Sequence, residues 1–508
     1  MERHHAVHVF KGEQLTLKQA YHAAHLPMTF VVDAAVLNAC GVSRNEFLTD
    51  LAQGKSVYGV NVGVGALKGH VFTGAAQDDM NRSLVFAHSG GIRDTVPASM
   101  VRMAMILRLN TLLLGRSGCS VELIESLLRL LNAGITPMVR GYGSVGCGDI
   151  MQNGQLGYAL TGGGLGQCGD TIAPMAELMA KAGCAPHLMQ VKDGISIISN
   201  NSFALAESIE LAHRALRSLD VLLAATLSAS VALNASPTPW TVAARYGRGH
   251  AAAVGAWLSA QFDATPWAQE ATVHDPLSIR FLSEIYGAAY DEAQLWVDTI
   301  QSLTGFLDEN PIMMDGQATT SGGSYLLDLA IRTDSLRVAI AHVLRNAYNL
   351  CAHMIAGRRA GLNVNLIAHN SAMTGFGPFL KVAGALTSKG FAESASVSPT
   401  PLMLADGLED ECNHLPLSLT KLRRQVESME EMSSVMSLMT AQALDITGVA
   451  RPLAVDSLYQ LVREILPFSQ QDQPLSDSVE VLRDSLMAER ESLTQSVAGA
   501  VLPLRNIF

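Results

Sequence analysis

The stretch Arg140-Gly141-Tyr142-Gly143-Ser144-Val145-Gly146-Cys147-Gly148-Asp149 places four glycines around one cysteine. It follows a run with helical character that stops before Thr136-Pro137. Glycine is used where the backbone must take a positive φ or pass close to another group. We therefore predict a loop here, rather than a regular helix or strand, with the Cys147 thiol and the Asp149 carboxylate as its reactive groups.

The composition of the whole chain argues against several kinds of partner. Of its 508 residues, 48% are hydrophobic and only 16% are charged, which favours an oligomer whose helices are covered on all sides. The net charge of −11 argues against nucleic acid as a main partner. The longest uncharged run, residues 221–244, contains Ser, Thr, Asn and Pro, so we expect a buried bundle helix and no membrane span.

The seven cysteines indicate a reducing compartment. They are odd in number, scattered and never in CxxC spacing, so neither a disulfide framework nor a zinc or other metal site is expected. The N-terminal residues carry no hydrophobic signal segment. We therefore expect a cytoplasmic protein.

Hydrophobic periodicity predicts a mainly α fold, a large elongated helical bundle with a loop-rich N-terminal region. Residues 57–65 are β-branched and glycine-rich, which predicts an extended loop. Two regions are expected: residues 1–200, which carry the Gly-Cys-Gly loop, and residues 201–508, which carry the long helices. The predicted helices are 76–94, 97–114, 120–134, 201–235, 279–306, 324–358 and 412–447.

Two chemical interpretations of the glycine-rich loop follow from its residues alone. Gly141-x-Gly143-x-x-Gly146 formally fits a dinucleotide fingerprint, but no strand precedes it, no βαβ pattern surrounds it and no helix clearly follows. Cys147 is either a nucleophile or a small buried residue in a tight turn. A nucleophile needs a base, and the candidate bases are His88, His274, His369 and His414.

An ordered set of motifs gives a third interpretation. The set comprises Tyr58-Gly59-Val60-Asn61-x-Gly63-x-Gly65, Ser83-Leu84-Val85-Phe86-Ala87-His88, Gly143-Ser144-Val145-Gly146-Cys147-Gly148-Asp149, Asp275-x-x-Ser278-x-Arg280, Asn310-Pro311, Ser321-Gly322-Gly323 and Glu409-Asp410. In this order and spacing it resembles the histidine and phenylalanine ammonia-lyase family, over roughly residues 15–450. The resemblance implies the ammonia-lyase/fumarase-like superfamily fold, and a homotetramer whose active sites are built from several subunits.

The resemblance also implies a prosthetic group, methylidene-imidazolone, which the family makes autocatalytically from an internal Ala-Ser-Gly. Aligning Gly148-Asp149 with the family's Gly-Asp puts Gly146-Cys147-Gly148 in the place of that triad. In this register cysteine eliminates sulfide where serine eliminates water, and the group forms. Aligning Gly143-Ser144-Val145-Gly146 instead leaves the triad one residue short, and no group forms. Both registers stay open at the level of the sequence.

The matching positions carry expected roles. By resemblance Tyr58 is the general base, and Arg280 and Asn310 hold the substrate carboxylate. His88 and Glu409 fall on positions that read the side chain of the substrate, and a histidine with a carboxylate offers a donor and an acceptor to an imidazole or another polar ring.

Several positions near this expected site depart from the family pattern. A second family tyrosine is Leu277 here, and the expected asparagine after Leu-Ile is Ser199, for which Asn200 substitutes only if its loop shifts. Tyr325 stands where a phenylalanine is expected, after Ser324 in place of an asparagine. These changes cluster at the site while the scaffold pattern persists, which suggests altered chemistry.

Three functions are consistent with this sequence. The first is a carbon–nitrogen lyase or aminomutase-like enzyme that acts on an α-amino acid with an aromatic or imidazole side chain. The second is a homologue without the prosthetic group, in which Cys147 or the pair Tyr58 and Glu409 drives a different elimination, addition or cyclisation. The third is a non-catalytic homologue that binds a small molecule or regulates a partner.

Overall fold

The computed structural model describes residues 6–488, and helices dominate this part of the chain. The expected domain division at residue 200 stays a prediction; the first long helix begins at Ser202. The last part of the region predicted as 201–508, and the first residues of the region predicted as 1–200, lie outside the described residues.

Residues 6–200 hold eight helices and seven short strands. The helices are α1 (Leu17–His25), α2 (Ala34–Ala52), α3 (Ala75–Ala87), α4 (Ala98–Leu112), α5 (Val121–Asn132), α6 (Ile150–Leu160), α7 (Met175–Lys181) and α8 (Asp193–Ile198). The strands are β1 (Ala6–Phe10), β2 (Met28–Val32), β3 (Ile92–Thr95), β4 (Ile135–Pro137), β5 (Arg140–Tyr142), β6 (Leu165–Cys168) and β7 (Thr171–Pro174). β1 pairs with β2 in parallel, β3 with β5 antiparallel, and β4, β6 and β7 form one antiparallel sheet.

Ten further α-helices, of 4 to 33 residues, follow from residue 202 onward within the described residues. They are α9 (Ser202–Ala232), α10 (Thr238–Tyr246), α11 (Gly249–Ala264), α12 (Leu277–Arg280), α13 (Leu282–Leu303), α14 (Leu327–Ala356), α15 (Phe379–Ala392), α16 (Leu415–Thr447), α17 (Leu453–Ile465) and α18 (Ser476–Met487). One hairpin, β8 (Ile312–Met314) with β9 (Gln317–Thr319), lies between α13 and α14. Helices α9, α13, α14 and α16 pack on one another as the bundle core. The predicted fold class, a mainly helical bundle, is confirmed.

The core helices bury serine and threonine as well as aliphatic residues. Ser208, Ser228 and Ser433 are almost fully buried, and each hydroxyl donates to the carbonyl four residues earlier in its own helix at 2.8 Å. A hydroxyl that is satisfied within its own helix has little cost of burial. This explains how a run with several hydroxyl residues forms the interior of a bundle.

The structure corrects three local predictions in the N-terminal region. The helix predicted over 76–94 ends at Ala87, and Ile92–Thr95 is a strand whose partner is β5. Residues 140–142, predicted as loop, therefore form part of a strand pair, and strands do precede the glycine-rich segment. A helix, α6, also follows directly after it. The dinucleotide hypothesis still fails, because β5 pairs antiparallel with β3 and is not part of a βαβ unit.

The run 221–244 divides between α9 and α10. One helical stretch, residues 193–232, passes a length and composition test for crossing a membrane, and 94% of its most apolar window is buried inside the structure. Burial of this kind is a property of the central helix of a bundle.

Candidate active site

The loop that contains Cys147 is anchored at both sides of the cysteine. Ser144 Oγ donates to Gly148 O or to Asp149 Oδ1, each at 3.1 Å, and accepts from Gly146 N–H at 3.3 Å. Asp149 N–H donates to Asn200 O at 2.7 Å. The second carboxylate oxygen of Asp149 accepts from Ala204 N–H at 2.7 Å, in the first turn of α9. The Cys147 loop is therefore fastened to the start of the central helix.

Asp149 is the buried member of this anchor. It is 1% exposed, and burial raises the pKa of its carboxyl to about 7; the charges of Asp308 and Glu207 act in the same direction. Its hydrogen bonds from Ala204 and Ser144 oppose that rise. The carboxyl therefore titrates near neutral pH while it holds the loop.

Cys147 is half-buried and lies in the electrostatic environment of Glu409. Burial raises the pKa of its thiol, and the charges of Glu409 and Cys412 add to the rise, whereas a hydrogen bond with Ser324 opposes it. The thiol is therefore protonated at neutral pH. Among the described residues, none of the four candidate histidines hydrogen bonds to it, and His414 instead contacts Cys412 Sγ at 3.3 Å and Thr400 O at 3.0 Å.

Tyr58 shares the environment of Cys147 and Glu409. Its hydroxyl oxygen accepts a hydrogen bond from Gly65 N–H at 2.8 Å, which fixes the ring within the loop of residues 57–65. Burial raises the pKa of the Tyr58 hydroxyl; the Gly65 hydrogen bond opposes the rise, and the charges of Glu409 and Cys147 add to it. In the single chain Tyr58 is thus a neutral phenol at pH 7. A positive charge from outside this group is required before it can serve as a base.

Asn310 lies beside a buried charge cluster. Its Oδ1 accepts from Ser321 N–H at 2.9 Å, which orients the amide, and Nδ2 has no hydrogen-bond partner within residues 6–488. The preceding residue, Glu309, is 3% exposed and pairs with Lys192 and with Arg108 at 2.7 Å. Lys192 also donates to Pro311 O at 3.0 Å, so the cluster holds the backbone on both sides of Asn310.

His88 and Tyr325 are each tied by one hydrogen bond. His88 follows the last turn of α3, and its Nδ1–H donates to Leu84 O at 2.6 Å. Because a carbonyl is only an acceptor, the neutral ring presents Nε2 as an acceptor, which differs from the donor expected from the sequence. Tyr325 Oη donates to Glu411 Oε2 at 3.2 Å.

Within residues 6–488, the side chains of the remaining predicted residues, Ser199, Asn200 and Arg280, make no hydrogen bond to the Cys147 loop. Ser199 directly follows α8 and lies half-buried. The side chain of Asn200 donates to Ile197 O at 2.9 Å and accepts from Ser202 N–H at 3.1 Å within its own turn. Asn200 meets the Cys147 loop through its carbonyl and not through its amide. Arg280 ends α12, which packs on α13 and α14, and its guanidinium lies over the ring of Phe281. It makes no hydrogen bond or ion pair to the Cys147 loop in the part of the chain described.

Sequence reasoning missed two sets of residues near the site. The Lys192–Glu309–Arg108 cluster joins positions far apart in the chain, and no local pattern marks it. Asn413 is fully buried and lies against Gly146. Its position two residues before the start of α16 is a signal that could have been read, because asparagine side chains commonly cap helix starts.

The mainly helical bundle and the groups collected around the Cys147 loop are consistent with a lyase-like enzyme. The family described as aromatic amino acid lyase matches residues 15–464, and the chain belongs to that family. The predicted family and the predicted lyase-like class of enzyme are therefore confirmed.

Individual relatives agree with this assignment over nearly their whole lengths. The chain is 24% identical to a probable histidine ammonia-lyase of Thermoplasma volcanium, covering 93% of this chain and 97% of the relative. It is 25% identical to the histidine ammonia-lyase of Vibrio cholerae, over 93% of this chain and 94% of that relative. Among solved structures, an ergothioneine-degrading ergothionase from Treponema denticola superposes with a TM-score of 0.90 at 24% identity, covering 95% of this chain and all of that chain. The last comparison supports the fold.

Proposed function

We propose that the protein cleaves or forms the carbon–nitrogen bond of an α-amino acid with an imidazole or aromatic side chain. The proposal rests mainly on one observation: three distant segments bring Tyr58, Cys147 and Glu409 close together, so that Glu409 raises the pKa of both Tyr58 and Cys147, and Cys147 also raises the pKa of Tyr58. Family membership supports the reaction class.

Tyr58 is the proposed general base, which removes a proton from the carbon next to the amine-bearing carbon. Gly65 N–H donates to its oxygen and stabilises the phenolate. Burial and Glu409 act against the phenolate, so a cation must enter the site. We assign this cation to Arg280 of a second copy of this chain, in a homotetramer whose sites are shared between subunits. The seven free cysteines agree with a cytoplasmic protein.

Asn310 and the same Arg280 are the proposed carboxylate-binding pair. The unpartnered Nδ2 of Asn310 supplies an N–H donor, and its orientation is fixed because Ser321 N–H already occupies Oδ1. A guanidinium adds a two-pronged, charge-assisted contact. Together they would hold the substrate so that its reactive carbon faces Tyr58.

His88 and Glu409 are the proposed contacts to the substrate ring. Because Nδ1–H of His88 donates to Leu84 O, its Nε2 is the ring nitrogen left for the substrate and is an acceptor in the tautomer that this bond selects; the Glu409 carboxylate is also an acceptor. Two acceptors suit a ring that carries two N–H groups, such as a protonated imidazole, better than a phenyl ring.

The residues of the Cys147 loop fit the family's prosthetic group in their backbone. Gly146 and Gly148 flank Cys147 with φ values of 89° and 85°, the left-handed region that favours glycine. In the other register, which Ser144 anchors, no group forms; Ser144 bonds its hydroxyl within the loop, whereas Cys147 lies close enough to Tyr58 to affect the pKa of that phenol. We therefore favour Gly146-Cys147-Gly148 as the triad. When present, methylidene-imidazolone supplies an electrophile that promotes loss of the amine.

Intact-mass spectrometry combined with a turnover assay tests this function. Histidine, phenylalanine and tyrosine are each supplied, and formation of the conjugated acid is followed by its ultraviolet absorbance, with Tyr58→Phe as the inactive control. We expect turnover, fastest for histidine, and a chain lighter by one water and one hydrogen sulfide. Absence of turnover on every substrate would refute the proposal.

A second candidate is elimination without the prosthetic group. The half-buried Cys147 thiol favours it, because burial raises its pKa and a protonated thiol is available as a proton donor. Turnover by a chain of unmodified mass, with Cys147 still titratable, would establish this candidate instead.

A further inference from the structure

The residues just before α16 lie against the Cys147 loop. His414 N–H donates to Val145 O at 3.0 Å. A Cβ built on Gly146 would lie 1.9 Å from Asn413 Oδ1 and 2.9 Å from His414 N, both closer than real Cβ contacts. Position 146 therefore requires glycine as long as Asn413 keeps its place, and its left-handed φ adds to the requirement.

The side chain of Asn413 is buried and only partly used. It is 0% exposed, and its Oδ1 accepts from Leu415 N–H at 2.9 Å at the first residue of α16. Its Nδ2 is buried and has no hydrogen-bond partner within residues 6–488. Buried polar groups of folded proteins are nearly always paired, so a free donor beside the reactive loop indicates a role there.

We propose that Asn413 is a positioning residue for Gly146-Cys147-Gly148. Its amide occupies the space into which a methyl group at position 146 would project, and so holds the loop backbone against the start of α16. The consequence for the sequence is direct: glycine at 146 and asparagine at 413 depend on each other. The N–H of Asn413 that has no partner within residues 6–488 is available to an oxygen acceptor of a ligand beside the loop. The inference rests on the proposed function in one respect, namely that Gly146-Cys147-Gly148 is the reactive triad.

Four variants test the proposal: Asn413→Ala, Gly146→Ala, the double variant, and Asn110→Ala as a matched control. Asn110 is also buried, at 1% exposure, and its amide donates to two backbone carbonyls, each at 3.1 Å. Neither carbonyl belongs to the Cys147 loop. We expect Asn413→Ala to lower the melting temperature no more than the control does. It should nevertheless lower kcat at least about tenfold, because small displacements of reacting groups are costly, with KM nearly unchanged. It should also reduce the fraction of chains with the lighter, processed mass.

The double variant measures the dependence between the two positions. Gly146→Ala should lower the melting temperature strongly, and adding Asn413→Ala should restore part of that loss, because two of the three overlaps disappear while His414 N remains at 2.9 Å. Additive effects on melting temperature, or an Asn413→Ala variant that matches the control in both mass and kcat, would overturn the proposal. If the wild type turns over no amino acid but the coupling in melting temperature is present, the positioning role stands and the proposed function fails.

Discussion

Substitution of Glu309 tests whether the buried Lys192–Glu309–Arg108 cluster stabilises the protein and the backbone beside Asn310. The Glu309 carboxylate accepts from Arg108 at 2.7 Å, Ser196 Oγ at 2.8 Å and Ser117 Oγ at 2.9 Å, in addition to its contact with Lys192. Glu309→Gln keeps the shape but removes the negative charge. It leaves Lys192, which is 0% exposed, without its anion.

The expected cost follows from the burial of the pair. Removing one partner of a buried ion pair costs about 3–5 kcal/mol. The unfolding entropy is about 2.1 cal/mol/K per residue, which gives roughly 1 kcal/mol/K for the whole chain of 508 residues. Dividing the free-energy cost by this entropy predicts a fall in melting temperature of about 3–5 °C. KM should rise in the same variant, because the cluster holds the backbone beside Asn310.

Differential scanning calorimetry against pH gives the decisive comparison. Although burial favours the neutral acid, Lys192 and Arg108 hold the pKa of the Glu309 carboxyl below its usual value. Its stabilisation is therefore present above about pH 4.3 and is lost as the pH falls further, so the gap between wild type and Glu309→Gln should narrow in acid.

The control for Glu309→Gln is Glu177→Gln, which breaks the exposed Glu177–Lys181 pair at 2.8 Å. An exposed pair contributes about 0.3–0.5 kcal/mol, so its removal should shift the melting temperature by less than about 1 °C. Equal shifts in the two variants would refute the assigned importance of the buried cluster.

Three further predictions concern the groups around Cys147. Tyr58→Phe should lower kcat about 10²–10⁴-fold with little change in melting temperature, as expected for loss of a general base, and retained turnover would exclude that role. Glu409→Gln removes a charge that raises the pKa of Tyr58, so the acidic limb of the kcat/KM profile should move to lower pH; an unmoved limb would contradict the coupling. Burial raises the pKa of Asp149 to about 7, so the contribution of Asp149 to stability should decline as pH rises from about 4 towards 7. Asp149→Asn should therefore flatten the dependence of melting temperature on pH in this range. An unchanged slope of melting temperature against pH would contradict the raised pKa of Asp149.

The long helices were predictable because their apolar periodicity is a local property. Segments predicted at 201–235 and 412–447 became α9 and α16 with small shifts at the ends. The strand Ile92–Thr95 was not predicted, because it exists only through pairing with Arg140–Tyr142, which lies far along the chain. Short strands of this kind carry too few residues for their own periodicity to show.

The assignment of site residues from the motifs stays a prediction, and the motifs carried no information on the geometry of the site. The order of motifs pointed to Tyr58, Cys147 and Glu409, and the structure gives these three a common environment. The sequence did not indicate that the side-chain amide of Asn200 would form its hydrogen bonds within its own turn. Nor did it indicate that Asn413 would fill the space beside a glycine, because that contact depends on packing between distant segments.

The anchoring of the Cys147 loop has a consequence for the order of events during biosynthesis. The loop takes its conformation from Ala204, Ser324 and Asn413, and more than half the length of the chain separates Cys147 from Asn413. A ribosome-bound chain that ends before Asn413 contains Ala204 and Ser324 but lacks the Asn413 contact with the loop. Any self-processing of the loop should therefore follow synthesis of the segment that contains Asn413. A chain with the processed mass is then one in which this segment has already packed against the Cys147 loop.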